Sequence, residues 1–120
     1  MAVTVPKQTQ PRDGVSFAPT FTQGDAAGMT LPDPTGREVL AIRGRAGISG
    51  NVQVDVEGVP AGRPARDGTS SITVTAAGEL HLVGDLVPAA WDNKATPGID
   101  VTFSLGTESD VEFAWVEQQR

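Results

Sequence analysis

The chain offers few residues that could do chemistry, and each can be weighed by type and spacing. His81 is its only histidine. In "ELHLV" it alternates with Leu80 and Leu82, so a strand there puts His81 on the solvent face and the leucines inside. A metal site needs further His or Cys ligands, and the chain has no cysteine at all. Asp55, Glu57, Glu79, Asp100, Glu108, Asp110 and Glu112 fall on solvent-facing strand positions and in turns. They do not read as two carboxylates facing across a cleft, as glycoside hydrolysis requires. No serine sits in a nucleophile elbow, and no calcium loop is present. "GRAGISG" has spaced glycines but joins two strand-like runs and opens no helix, so it is read as a turn and not as a phosphate cradle. This inventory predicts no catalytic residues, no metal, no cofactor and no small-molecule substrate.

Two other groups could serve binding. Arg43, Arg45, Arg63 and Arg66 lie in or beside the two loops around the Val52 run. They are either ordinary solvated arginines or a basic patch suited to carboxylates of a partner. Trp91, before the polar run Asp92-Asn93-Lys94, has three readings: a lid folded back over one end of a core, an interface anchor, or a stacking platform for a ligand. The first is preferred, because no catalytic or metal-binding set surrounds it.

The elements that would carry these residues are strands. "REVLAIRG" places Leu40 and Ile42 on one face. "NVQVDVEG" alternates Val52, Val54 and Val56 with Gln53, Asp55 and Glu57, and the short link between these two runs predicts an antiparallel hairpin. "SITVTA" turns Ile72 and Val74 inward, and "ELHLVG" turns Leu80 and Leu82 inward. "IDVTFSL" lines up Ile99, Val101, Phe103 and Leu105, and "VEFAWVE" lines up Val111, Phe113 and Trp115. "GVSFAPTFTQG" is a weak edge strand because of Pro19, and "DAAGMTLPDPTG" reads as a loop. The 14 glycines and 9 prolines fall between the runs and punctuate them. The expected fold is all-β: a single-domain antiparallel β-sandwich, jelly-roll or Ig-like/β-tulip in kind, over residues 15–120. Residues 1–14, with Pro6 and Pro11, read as an extended N-terminal arm.

Nine Lys+Arg against 15 Asp+Glu give a net charge of −6. Such a balance argues against nucleic acid as a partner, since that affinity rests on clustered cations. No run approaches the roughly 18 apolar residues of a membrane span, and "MAVTVPKQTQPRDG" lacks the features of a signal peptide. The expectation is a protein made in the cytoplasm, with no membrane partner.

The order of segments resembles the small decoration, or minor capsid, proteins of tailed bacteriophages, of the actinobacteriophage type. The similarity covers roughly residues 14–117 and lies in "GDAAGMTLPDPTGREVLAIRG", "GNVQVDVEG", "SITVTAAGELHLVGDLVPAAWDN", "IDVTFSL" and "VEFAWVE". Trp91-Asp92-Asn93 stands where an aromatic-Asn-Asp usually stands in that family. Val83-Gly84-Asp85-Leu86 replaces its Gly-Pro-Phe element. The resemblance implies a virion structural protein, made in the host cytoplasm, that binds the major capsid protein on the outer surface of the capsid. It would sit near local three-fold axes, associate as a homotrimer and cement neighbouring capsomers. In that reading the partner contacts are Val3, Val5 and Pro6 of the arm together with Arg43, Arg45, Arg63, Arg66 and Trp91. The alternatives from other classes are a carbohydrate- or ligand-binding β-sandwich module, and a phage head–tail joining or tail protein.

Overall fold

The computed structural model describes residues 3–11, 17–32, 35, 37–57, 69–84 and 99–118. Within them the chain is all-β. The strands are β1 (Val3–Thr4), β2 (Lys7–Gln10), β3 (Thr22–Gln23), β4 (Met29–Leu31), β5 (Glu38–Gly44), β6 (Val52–Glu57), β7 (Thr69–Val74), β8 (Leu80–Val83), β9 (Ile99–Leu105) and β10 (Val111–Gln118). They form two sheets. The first runs β1-β4-β9-β6-β7, and the second runs β2-β10-β5-β8, with β3 also on β10.

Period-two patterning explains the core between them. Val52, Val54 and Val56 of β6 and Ile99 and Val101 of β9 enter it from the first sheet. Leu40 and Ile42 of β5 and Val111, Phe113 and Trp115 of β10 enter it from the second. All of these are fully buried. Phe103 meets Phe113 edge-on, with ring centroids 5.9 Å apart. The Trp115 indole N–H is satisfied by the Pro32 carbonyl at 2.8 Å, as a buried indole requires.

Five expectations need correction. First, the sheets are mixed rather than purely antiparallel, because β1 pairs parallel to β4 and β2 parallel to β10. Second, the N-terminal segment is no free arm. It places a strand in each sheet and buries Val5 completely between them. Third, β5 and β6 are not a hairpin; they lie in different sheets, and the turn after Gly44 carries the chain from one to the other. Ile48 of that connection packs on the core, which holds the crossing in place. Fourth, Met29-Thr30-Leu31 is a strand, not a loop, with Met29 and Leu31 in the core.

The fifth correction concerns facing. Leu80, Leu82 and Leu105 are 53%, 67% and 57% exposed, though all three were expected inside. For β8 the cause is register. His81 pairs with Ile42 and Val83 with Leu40, so His81 and Val83 share the core side while Leu80 and Leu82 join Arg43 and Ala41 outside. Gly44 fixes this register. A Cβ there would lie 2.2 Å from the Ala76 carbonyl oxygen, so only glycine lets the turn before β8 approach β5. For Leu105 the cause is an irregularity in β9. Val54 faces Phe103 but Gln53 faces Leu105, and the extra residue flips Leu105 to the outer face.

Trp115→Ala should lower stability by about 3–5 kcal/mol, as emptying a large core site does, when measured by urea titration; a loss under about 1 kcal/mol would contradict its burial. Deleting residues 1–10 should likewise prevent stable folding, since it removes two strands and Val5. A native-like melting transition in that truncation would restore the free-arm reading.

Candidate functional site

The arginines that the sequence singles out are brought together only in part. Arg43 lies on β5, directly opposite Glu112 of β10. Its guanidinium donates to Glu112 Oε1 from Nε at 2.8 Å and from Nη2 at 2.7 Å. It also stacks on Phe21, 3.8 Å from the ring centroid. Arg45 follows where β5 ends. It reaches Glu112 Oε2 at 3.9 Å and donates from Nη1 to the Ser109 carbonyl at 3.1 Å. Two guanidiniums therefore share one carboxylate, and both stay about two-fifths exposed. They border a shallow cleft of about 520 Å³ with Gly44, Ala46, Ala77 and Gly78. Exposed ion pairs of this kind add at most about 1 kcal/mol to stability.

Next to this cleft the outer face of the second sheet is apolar. Val39 and Ala41 of β5, Val116 of β10 and Leu82 of β8 point outward, and Phe17 and Pro19 lie beside them. Together with Gln10 and Gln118 at its polar end, they line a groove of about 360 Å³. The Gln8 side chain pins the covering segment by bonding both Thr20 N, at 2.8 Å, and Thr20 O, at 2.7 Å. The groove was not foreseen, because Leu82 was assigned to the interior. The outer face of the first sheet differs in kind. It presents Gln53, Asp55, Ser71, Thr73, Asp100 and Thr102, with Leu105 as its apolar exception.

The remaining expected contacts divide. Val3 is half-buried against the core; Val5 is fully buried and offers no surface to a partner; Pro6 is exposed. Arg63, Arg66 and Trp91 lie outside the described residues. His81 is half-buried, its Nε2 2.5 Å from Glu79 Oε2, while Thr75 Oγ1 donates to Glu79 Oε1 at 2.6 Å. These bonds hold the Glu79 carboxyl below its ordinary pKa, the one from Thr75 most strongly. No group of three His, Asp or Glu side chains converges on a metal position among the described residues.

One polar cluster carries no obvious sequence signal. Glu38, 2% exposed, points to the core side of β5. It accepts from Thr35 N at 2.9 Å, Thr35 Oγ1 at 2.7 Å and Lys7 Nζ at 2.9 Å. The cluster ties the N-terminal strand to the second sheet. Burial pushes the Glu38 carboxyl up, but the bonds from Thr35 and Lys7 and the Lys7 charge outweigh it and leave the net pKa lowered.

Comparison with family models, with curated proteins and with solved structures finds no match to this chain.

A carboxylate whose pKa is lowered by folding stabilises the fold above its unfolded pKa, near 4.5, and loses that stabilisation as the pH falls through the folded value. Glu38→Gln should cost about 1–3 kcal/mol at pH 7. The gap between wild type and variant should narrow as the pH drops below about 4.5 and through the lowered folded value. Urea titrations at several pH values check this, and a gap independent of pH would remove Glu38 as the cause.

Proposed function

We propose that this chain is a structural binding module, and within that class a decoration protein of a bacteriophage shell. It would bind the major capsid protein on the outer surface of the virion and cement neighbouring capsomers. The observation that carries the first step is the contrast between its two outer faces. One is polar and suits water, while the other combines an apolar groove with a pair of arginines. An apolar patch rimmed by charge is the usual anatomy of a protein-binding surface. The second step rests on the segment pattern that resembles the phage decoration family. The all-β sandwich, whose chain repeatedly crosses from sheet to sheet, supports a jelly-roll or Ig-like kinship and supplies the rigidity that a cementing role needs. Contacts repeated around a shell reinforce one another, so each can be weak.

In this reading the groove takes apolar side chains of the capsid subunit, and Arg43 and Arg45 take its carboxylates. The opposite sheet faces solvent. A carbohydrate-binding module gains no support from the described aromatics. Trp115, Phe103 and Phe113 belong to the core, Phe21 is covered by Arg43, and Phe17 alone borders the groove, where a stacking platform usually needs several aromatics.

Purified shells of the phage that encodes the chain should pellet the wild-type protein on cosedimentation. Arg45→Glu should weaken that binding about tenfold, equivalent to ~1.4 kcal/mol, with Thr73→Asp on the polar face as the unaffected control. Wild-type protein that stays in the supernatant with shells, or pellets with tail tubes instead, would overturn the decoration reading.

A further inference from the structure

The open side of β8 carries a second surface. β8 ends the second sheet, and among the described residues it pairs with β5 alone. The Gly44 N–H donates to the Glu79 carbonyl at 3.0 Å and the Gly44 carbonyl accepts from the Gly78 N–H at 2.9 Å, so Gly78 and Glu79 together oppose Gly44 and set the phase of the ladder that follows. Bonded and non-bonded pairs alternate along an antiparallel ladder. Ile42–His81 and Leu40–Val83 are therefore bonded pairs. The main-chain groups of Leu80 and Leu82 consequently turn away from β5, toward the open edge. The side chains of the same two residues are 53% and 67% exposed. The edge thus offers hydrogen-bonding groups and apolar surface at the same positions. The edge is short and a bulge at Gly78–Glu79 adjoins it, but Leu80–Val83 itself contains no proline and no lysine.

We propose that this edge binds a second copy of the chain, with the two β8 strands antiparallel about a two-fold axis through His81. The choice of occupant follows from symmetry and charge. Around that axis Leu80 of one copy faces Leu82 of the other, and the reverse. Each such pair exchanges two main-chain hydrogen bonds and places two leucines side by side, so the edge complements itself. Two copies with a net charge of −6 repel each other and meet most readily where charge is sparse. Leu80–Val83 carries no carboxylate, and its neighbour Glu79 is already engaged by Thr75 and His81. The two His81 residues face each other as a non-bonded pair, with Cα atoms about 4.5 Å apart. A four-residue edge buries less than the ~800 Å² per partner of a standard interface. A weak dimer is expected, with a Kd on the order of 10–100 µM.

This contact shares Leu82 with the groove assigned to the capsid subunit, but it does not rest on that reading and its test uses the protein alone. Sedimentation from about 10 µM to 1 mM, spanning that Kd range, should show wild type passing from monomer to dimer. Leu82→Asp should remain monomeric, and Thr73→Asp should associate like wild type. Register is read separately. The chain has no cysteine, so His81→Cys introduces its sole thiol. Under mild oxidation that thiol should join two copies, because a disulfide spans Cα atoms about 4.4–6.8 Å apart. Leu80→Cys, whose copies lie on the longer diagonal of about 7–8 Å, should crosslink far more slowly. A strict monomer at 1 mM, a trimer, dimerisation that survives Leu82→Asp, or equal crosslinking of the two cysteine variants would each overturn the proposal. Failure to bind shells would leave it standing.

Discussion

The ladder between β5 and β10 sets the second sheet, and with it most of what the surface can do. Residues 38–44 pair with residues 111–117 without interruption. A strand has two faces, so aligning Leu40 and Ile42 with Phe113 and Trp115 on the core side leaves no choice for the residues between. Val39, Ala41 and Val116 must face outward, and Arg43 must meet Glu112. β2 and β3 then attach to β10, and β8 attaches to β5. The apolar groove, the arginine cleft and the outward setting of Leu80 and Leu82 all build on the same alignment.

That dependence explains what could be read in the sequence and what could not. The strand character of residues 38–44, 52–57, 99–105 and 111–118 is plain, because each alternates over enough positions to display its period. The buried valines of β6 and the burial of Trp115 follow directly. What one strand's own pattern does not reveal is which way it faces once a partner takes hold of it. "ELHLV" alternates as expected, yet the inward set is His81 and Val83, since the neighbouring strand and Gly44 decide the register. Leu105 belongs to the alternation of β9 until one extra residue reverses it. The strand at Met29–Leu31 is too short, between a glycine and a proline, to show a period at all.

The candidate surface was legible to a similar degree. Arg43 and Arg45 are neighbours in sequence, so their proximity needed no structure. Their shared partner Glu112 comes from the far end of the chain, and no local pattern connects them. Glu38 looks like one more surface carboxylate in "GREVL", whereas it is buried and bonded to Lys7 and Thr35. Val5 looked like part of a dangling lead, and it lies in the core. In each case a contact between residues far apart in sequence determines the role, and short-range periodicity does not report such contacts.

The parallel pairing of β2 with β10 also bears on how the protein comes into being. Residues 7–10 have residues 115–118 as their partners, so the first strand of the second sheet made on a ribosome waits for the last. The second sheet therefore cannot close until residues 115–118 have been made. Contacts this distant in sequence are slow to form, and until they do the core has one side open to water. The nascent chain spends that interval exposing Trp115, Phe113 and the valines of β6. It depends in that time on chaperones, or on its own acidic charge, to stay apart from its siblings.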